Sequence, residues 1–186
     1  MLALYDRFAS AIAALAPALL PTLARATFAA VLLVYFWSSA ATKIGPGPLG
    51  FPMPTDGAYA QIFPRAMAAA GYDSAQLGLF HHAVVIAGTM AELVLPLLIV
   101  VGLFTRIAAL SMIGFVFVQS LTDVFGHGVG GDDLGRWFDA ASGALVLDQR
   151  TLWTFLLAAL ALLGAGPISL DYVLAGRRRA AFPQKS

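Results

Sequence analysis

Polar residues are spaced so widely along this chain that four stretches run almost unbroken in apolar side chains, at roughly 22–42, 80–103, 105–124 and 149–166. A helix needs about 20 mostly apolar residues to cross the hydrocarbon core of a bilayer, and each stretch approaches that length. Almost nothing separates the second from the third, which predicts a tight antiparallel hairpin. The segments 43–79 and 125–148 are rich in Gly, Pro and Asp and read as loops. Ahead of the first stretch, Leu4, Phe8, Ile12, Leu15 and Leu19 repeat at helical spacing, with Asp6, Arg7 and Ser10 off that stripe. This predicts an amphipathic helix over 1–20 that lies at a membrane interface and ends before Pro21. Pro17 breaks its apolar run and a full span follows at once, which argues against a signal peptide. The predicted fold is therefore all-α: an interfacial helix over 1–20, an integral membrane four-helix bundle over 21–174, and a basic tail over 175–186.

Composition agrees. Of 186 residues, 60% are hydrophobic and 11% charged, against about 25% charged in an average soluble domain. A soluble domain of this size has too little interior to hide that much apolar surface. A net charge of +1 gives no reason to expect nucleic acid as a partner. The chain has no cysteine, so it can form no disulfide and supply no thiolate ligand to a metal or iron–sulfur cluster.

Basic residues favour one side. The N-terminus, the 103–106 turn and the C-terminus carry Arg7, Arg25, Arg106, Arg177, Arg178, Arg179 and Lys185. The opposite loops carry Lys43, Arg65, Arg136 and Arg150 among seven aspartates. Both termini are expected to be cytoplasmic, with the acidic loops facing outward. The GRRRAAFPQKS tail reads as an anchor at the inner leaflet.

Two charges stand out in AELVLPLLIVVGLFTRIAAL at 91–110. Arg106 falls at the hairpin turn, after Thr105, which is placed to cap the third helix, and it can snorkel to the headgroups. Glu92 lies about 12 residues, or about 18 Å, into the second helix, close to the bilayer midplane. A charge there costs at least about 2.5 kcal/mol, so Glu92 is expected to be protonated, paired or turned inward. Its face includes Val85, Gly88, Thr89, Pro96 and Ile99, and the small Gly88 and Thr89 leave room for another helix or a ligand. Pro96 has no N–H, which frees the carbonyl of residue 92 and predicts a kink. Two readings stay open. Glu92 is either structural glue, bonded to Ser38, Ser39, Ser111 or Gln119, or part of a ligand or proton site.

The same block resembles the central signature of the DoxX family of small membrane proteins. The resemblance is carried by Ala91, Glu92, Gly102, Leu103, Phe104, Thr105, Arg106, Ala108, Ala109 and Leu110. Lys43 in SSAATKIGP and the closing GAGPISLDYVL at 164–174 are similar to two further family pieces. The sequence departs from the family pattern at Ala40 and Pro96, where glycines are usual. The resemblance covers most of 25–174 and implies a four-helix membrane bundle. Some members are described as subunits of quinone-linked sulfur or oxygen redox enzymes, and others accompany metal- or stress-related operons. It implies a bacterial inner (cytoplasmic) membrane as the location.

Other chemistry is sparser. His81 and His82 open the second span, and Asp123 and His127 lie at i and i+4 at the end of the third. Imidazoles and carboxylates together suit copper, zinc or iron, although this spacing matches no firm metal motif. A bis-histidine haem would need His82 and His127 to face each other at the outer edge. Tyr35, Phe36, Trp37 and Trp153 read as interface aromatics, and Trp37 could also flank a quinone beside Glu92. SGALVLD at 142–148 resembles a short surface strand, and GPGPLGFPMP at 45–54 a stiff loop over the outer mouth of the bundle. No Gly-x-Ser-x-Gly turn or credible Ser/His/Asp set exists.

The leading expectation is an accessory membrane subunit that docks a redox or metal-handling partner, in the membrane or periplasm. Glu92, with Lys43 and Arg106, would form a polar core for assembly or for a quinone-type ligand. The alternatives are a catalytic subunit that passes electrons to quinone, with Glu92 as proton acceptor, and a small metal-handling or transport protein using the histidines. Small-residue faces at Ala83/Ala87/Ala91 and Ala158/Leu162 offer contacts to a partner or a second copy.

Overall fold

The first helix sets the proportions of the molecule. In the computed structural model, which describes residues 1–47, 50 and 53–181 (177–181 as backbone alone), α1 runs without interruption over Leu2–Lys43. Its 42 residues span about 63 Å at about 1.5 Å per residue, twice the length of the other spans. The amphipathic stretch 1–20 is helical but is not a separate element, because both Pro17 and Pro21 lie inside α1. Alanine at 9, 11, 13, 14, 16 and 18 favours helix strongly enough to carry the chain through both prolines. The Thr22 hydroxyl donates to the carbonyl of Ala18 at 2.8 Å. A wide π-type turn at Ala29–Leu33 is absorbed within the helix.

Two short helices follow, α2 at Asp56–Ile62 and α3 at Pro64–Ala69. The segment 43–79, expected as loop, is thus partly helical. Its start signals are local: the Thr55 hydroxyl accepts from the amide of Ala58, and Pro64 takes the first position of α3, where no N–H is needed. The 45–54 loop includes positions 48–49 and 51–52, which lie outside the described residues.

The other three spans are α4 at Leu79–Val101, α5 at Thr105–Leu121 and its wide continuation to Gly126, and α7 at Leu145–Leu163. A four-residue helix, α6, occupies Gly131–Leu134, and α8 runs over Leu170–Ala181. The four long helices are each long and apolar enough to cross a membrane. No strand occurs among the described residues. Of the expected surface strand at 142–148, residues 142–144 are irregular and 145–148 belong to the first, wide turn of α7, with Val146 packed inward.

The core follows from spacing. On α1 the buried stripe is Ala24, Phe28, Leu32, Phe36 and Ala40, one residue every turn. Ile99, Ala108, Ala109, Met112, Val116, Leu157 and Leu160 close against it from α4, α5 and α7. Phe36 meets Phe115 and Trp153 edge-on. A smaller cluster of Ala58, Tyr59, Met67 and Val85 seats α2 and α3 against the start of α4. The α1 overhang buries none of residues 1–20, and its apolar stripe of Leu4, Phe8, Ile12, Leu15 and Leu19 is exposed.

Both ends of the bundle are tied. At the end with the α4–α5 turn, Arg25 sits buried and donates to the carbonyls of Ile99 (3.0 Å), Val100 (2.5 Å), Ala165 (3.1 Å) and Ile168. It gathers α1, the last turn of α4 and the loop after α7. Residues 2–20 therefore project past this end. Asp171 accepts from the amides of Phe104 (2.8 Å) and Thr105 (3.0 Å) and so caps α5 from outside the hairpin. This corrects the expected self-cap by Thr105, whose hydroxyl is buried and unpaired. Asp171→Ala is expected to lower stability by about 1–2 kcal/mol, measurable as a drop in Tm in detergent.

Candidate functional site

Lys43 closes the last turn of α1, one turn after Ser39. Glu92 comes from the middle of α4. Their side chains meet inside the bundle, where Lys43 is 2% and Glu92 4% exposed. Lys43 Nζ lies 2.8 Å from Glu92 Oε2 and 3.0 Å from Oε1. Ser39 Oγ donates to Oε1 at 3.2 Å and accepts from Lys43 at 2.7 Å. The Ser39 carbonyl also accepts from Lys43, at 3.2 Å. The carboxylate is thus paired and hydrogen-bonded, the condition under which a buried ion pair is tolerated. Of the four partners foreseen for Glu92, Ser39 is the one that reaches it; Gln119 turns instead to the Tyr35 hydroxyl at 3.2 Å. Pro96 lies buried within α4, which continues past it to Val101.

A cavity of about 420 Å³ lies beside this pair, between α4 and α5. Its walls are mostly apolar: Val84, Ala87, Ala91 and Leu95 from α4, and Phe115 and Val118 from α5. Its polar lining is Lys43, Glu92, Ser111, Gln119, Thr122 and Asp123, with Gln61. Exposed Ala87, Ser111, Gly114 and Val118 lie along the gap between the two helices, so the cavity opens sideways, on the flank that would face lipid. Ile62, at the end of α2, lies against Gly88: a methyl group there would stand 3.6 Å from Ile62 Cδ1. A second ion pair stands at the far end. Arg150, 3% exposed, reaches Asp123 Oδ2 at 2.5 Å and Ser120 Oγ at 3.0 Å.

The remaining sequence candidates separate. Gly88 lines the cavity. Thr89 is buried beside Glu92, with its hydroxyl spent on the carbonyl of Val85 at 2.8 Å. Trp37 is partly exposed on the outer side of α1 and donates to the carbonyl of Leu93 at 3.1 Å, away from the cavity lining. Arg106 is not part of the polar core. It sits at the opposite end and caps α7 through the carbonyls of Ala161 (3.0 Å) and Leu162 (2.8 Å), because its place at the start of α5 faces the end of α7.

No family model, curated protein or solved structure matches this chain.

The four metal candidates do not converge. His82 Nδ1 pairs with the Tyr59 hydroxyl, and His127 Nε2 with the carbonyl of Gln61 at 2.9 Å. His81 packs edge-on against Phe63 and Phe80, and Asp123 is held by Arg150. Among the described residues no group of three or more histidines and carboxylates stands close enough to hold a metal ion. Packing of α2 over the ends of α4 and α5 gives His82 and His127 separate partners, while the buried Nδ1 of His81 has none. Burial, and secondarily Asp56, pushes the Tyr59 hydroxyl above its ordinary pKa.

Arg25 and Arg150 were read by charge alone and assigned to membrane surfaces. Their signal lay in the spacing. Arg25 stands three residues before Phe28 and Arg150 three before Trp153, each on the stripe that becomes core.

Proposed function

We propose that this chain is a multi-pass membrane protein that holds a small amphiphilic ligand of quinone type in the cavity beside Lys43–Glu92. It works as an accessory subunit to a redox partner. The observation that carries this reading is the cavity itself: about 420 Å³, walled by apolar side chains, with a fully hydrogen-bonded charge pair at its polar side. Ligand sites typically enclose about 300–1,000 Å³ and combine apolar walls with a few placed polar groups. The sideways opening suits a ligand that arrives through lipid. The resemblance of 91–110 to the DoxX signature supports the same class of protein, and Glu92 and Lys43 both belong to the matching pieces. The bias of seven basic residues against four supports cytoplasmic termini and an outward-facing α2–α3 cap, in a bacterial inner membrane.

Gly114 supplies the test. A methyl group there meets nothing within 4 Å, so leucine at this position in the cavity lining displaces no backbone and improves helix propensity by about 0.5–1 kcal/mol. Purified wild-type protein is expected to retain a lipid-soluble ring compound, identified by mass spectrometry of an organic extract. Gly114→Leu, with an unchanged or higher Tm, is expected to lose it. Equal retention by both proteins, or none by wild type purified in mild detergent, would count against the cavity as a ligand site.

A further inference from the structure

We infer that this cavity recognises its ligand as a hydrogen-bond donor, and that Gln119 is the specificity-determining residue. The inference rests on the reading of the cavity as an amphiphile site and names which amphiphile it selects.

The argument is an inventory of donors and acceptors. A lysine ammonium has three N–H groups and no acceptor. Those of Lys43 are spent on both oxygens of Glu92 and on Ser39, at 2.7–3.2 Å. The Ser39 hydroxyl proton is spent on Glu92 as well. What the pair has left for the cavity is therefore carboxylate lone pairs. Gln119 Nε2 donates one of its two N–H groups to the Tyr35 hydroxyl at 3.2 Å and keeps the other, and its Oε1 is buried with no partner, so it adds one acceptor against one remaining donor. Asp123 gives Oδ2 to Arg150 and keeps Oδ1. Donors remain at the rim, on exposed Gln61 and Ser111, and Thr122 can act either way. The interior of the site is thus rich in acceptors.

Charge narrows the class further. Each carboxylate at the cavity already has its cation, Lys43 for Glu92 and Arg150 for Asp123. A cationic ligand gains no unpaired charge, so a neutral hydroxyl group is the donor that fits. A quinone offers carbonyl oxygens, which are acceptors and bring no proton to the oxygens of Glu92, Asp123 or Gln119. A hydroquinone or phenol offers O–H groups. The site accordingly takes the hydroxyl-bearing, reduced form of the ring.

The test uses three short-tailed probes that share one ring: the hydroquinone, the quinone and the hydroquinone dimethyl ether, which is the reduced ring without donors. Binding is measured anaerobically on the full-length protein in detergent, for wild type and Gln119→Met. The hydroquinone is expected to bind wild type about tenfold or more tightly than either other probe, the weight of a buried acceptor left without its donor. Gln119→Met is expected to reduce that preference to within about twofold. Equal or tighter binding of the quinone or the ether by wild type overturns the inference while leaving the cavity a ligand site. Undiminished preference in Gln119→Met overturns the role of Gln119. Binding of none of the probes overturns the ligand reading itself. The ether comparison needs no mutant, so it stands even where Gln119→Met folds poorly.

Discussion

Glu92→Leu is expected to destabilise the bundle by about 3–5 kcal/mol, the usual cost of removing one partner from a buried ion pair. The loss comes from what stays behind. Lys43 is 2% exposed, and without the carboxylate its ammonium keeps only Ser39 as a partner. Burying a lone cation is far more costly than the pair's own net worth. Lys43→Met together with Glu92→Leu is therefore expected to recover most of the loss, because two well-packed apolar side chains often replace a buried pair at little cost. Thermal unfolding of the purified variants in one detergent checks both. A single mutant as stable as wild type would mean that Lys43 finds another partner. A double mutant as poor as the single would mean that the pair is worth more than its shape. The double mutant also separates stability from binding, since a folded protein that no longer retains ligand would tie the pair directly to recognition.

Arg25→Met is expected to cost at least about 3 kcal/mol, because hydrogen bonds from a charged donor contribute roughly 1.5–3 kcal/mol each. Its guanidinium serves carbonyls from two separate parts of the chain, Ile99 and Val100 at the end of α4, and Ala165 and Ile168 after α7. The last carbonyls of a helix have no partner within it, and here one side chain supplies them. Gly102 shows how tight the fit is. It adopts φ +70°, and a methyl group there would lie 2.5 Å from Ser169 Cβ and 2.8 Å from Arg25 Cζ. Methionine keeps much of the arginine's volume, so a loss of Tm in Arg25→Met reports the hydrogen bonds rather than a void. Protease sensitivity after residue 163 is expected to rise in parallel. An unchanged Tm and cleavage pattern would show that these carbonyls find other donors.

The helical spans were legible because they rest on length and hydropathy, which a single chain displays directly. Glu92 was legible for a related reason: an acid in the middle of an apolar run has few places to go. Lys43 needed the resemblance to draw attention to it, since at the end of a span a lysine looks like an ordinary interfacial residue. Arg106 shows the converse. It shares the signature block with Glu92, yet 14 positions separate them across a helix turn, and it ends at the other pole of the bundle. Asp171 and the α2–α3 cap were out of reach because they depend on contacts between distant segments. The separate settings of His82 and His127 were out of reach because spacing along one helix says nothing of the Tyr59 and Gln61 that pack over it.

The pairing of Lys43 with Glu92 joins residues 49 positions apart, with α2 and α3 made in between. This bears on how the chain enters a bilayer. Lys43 ends the first span and can wait among the headgroups, whereas Glu92 lies mid-helix and must pass into hydrocarbon. In a bilayer its ionised form is expected to insert most cheaply with α1 alongside. The first helix is therefore expected to stay near the point of insertion until the second long helix emerges. The pair would then form as the two partition together, ahead of α5 and α7.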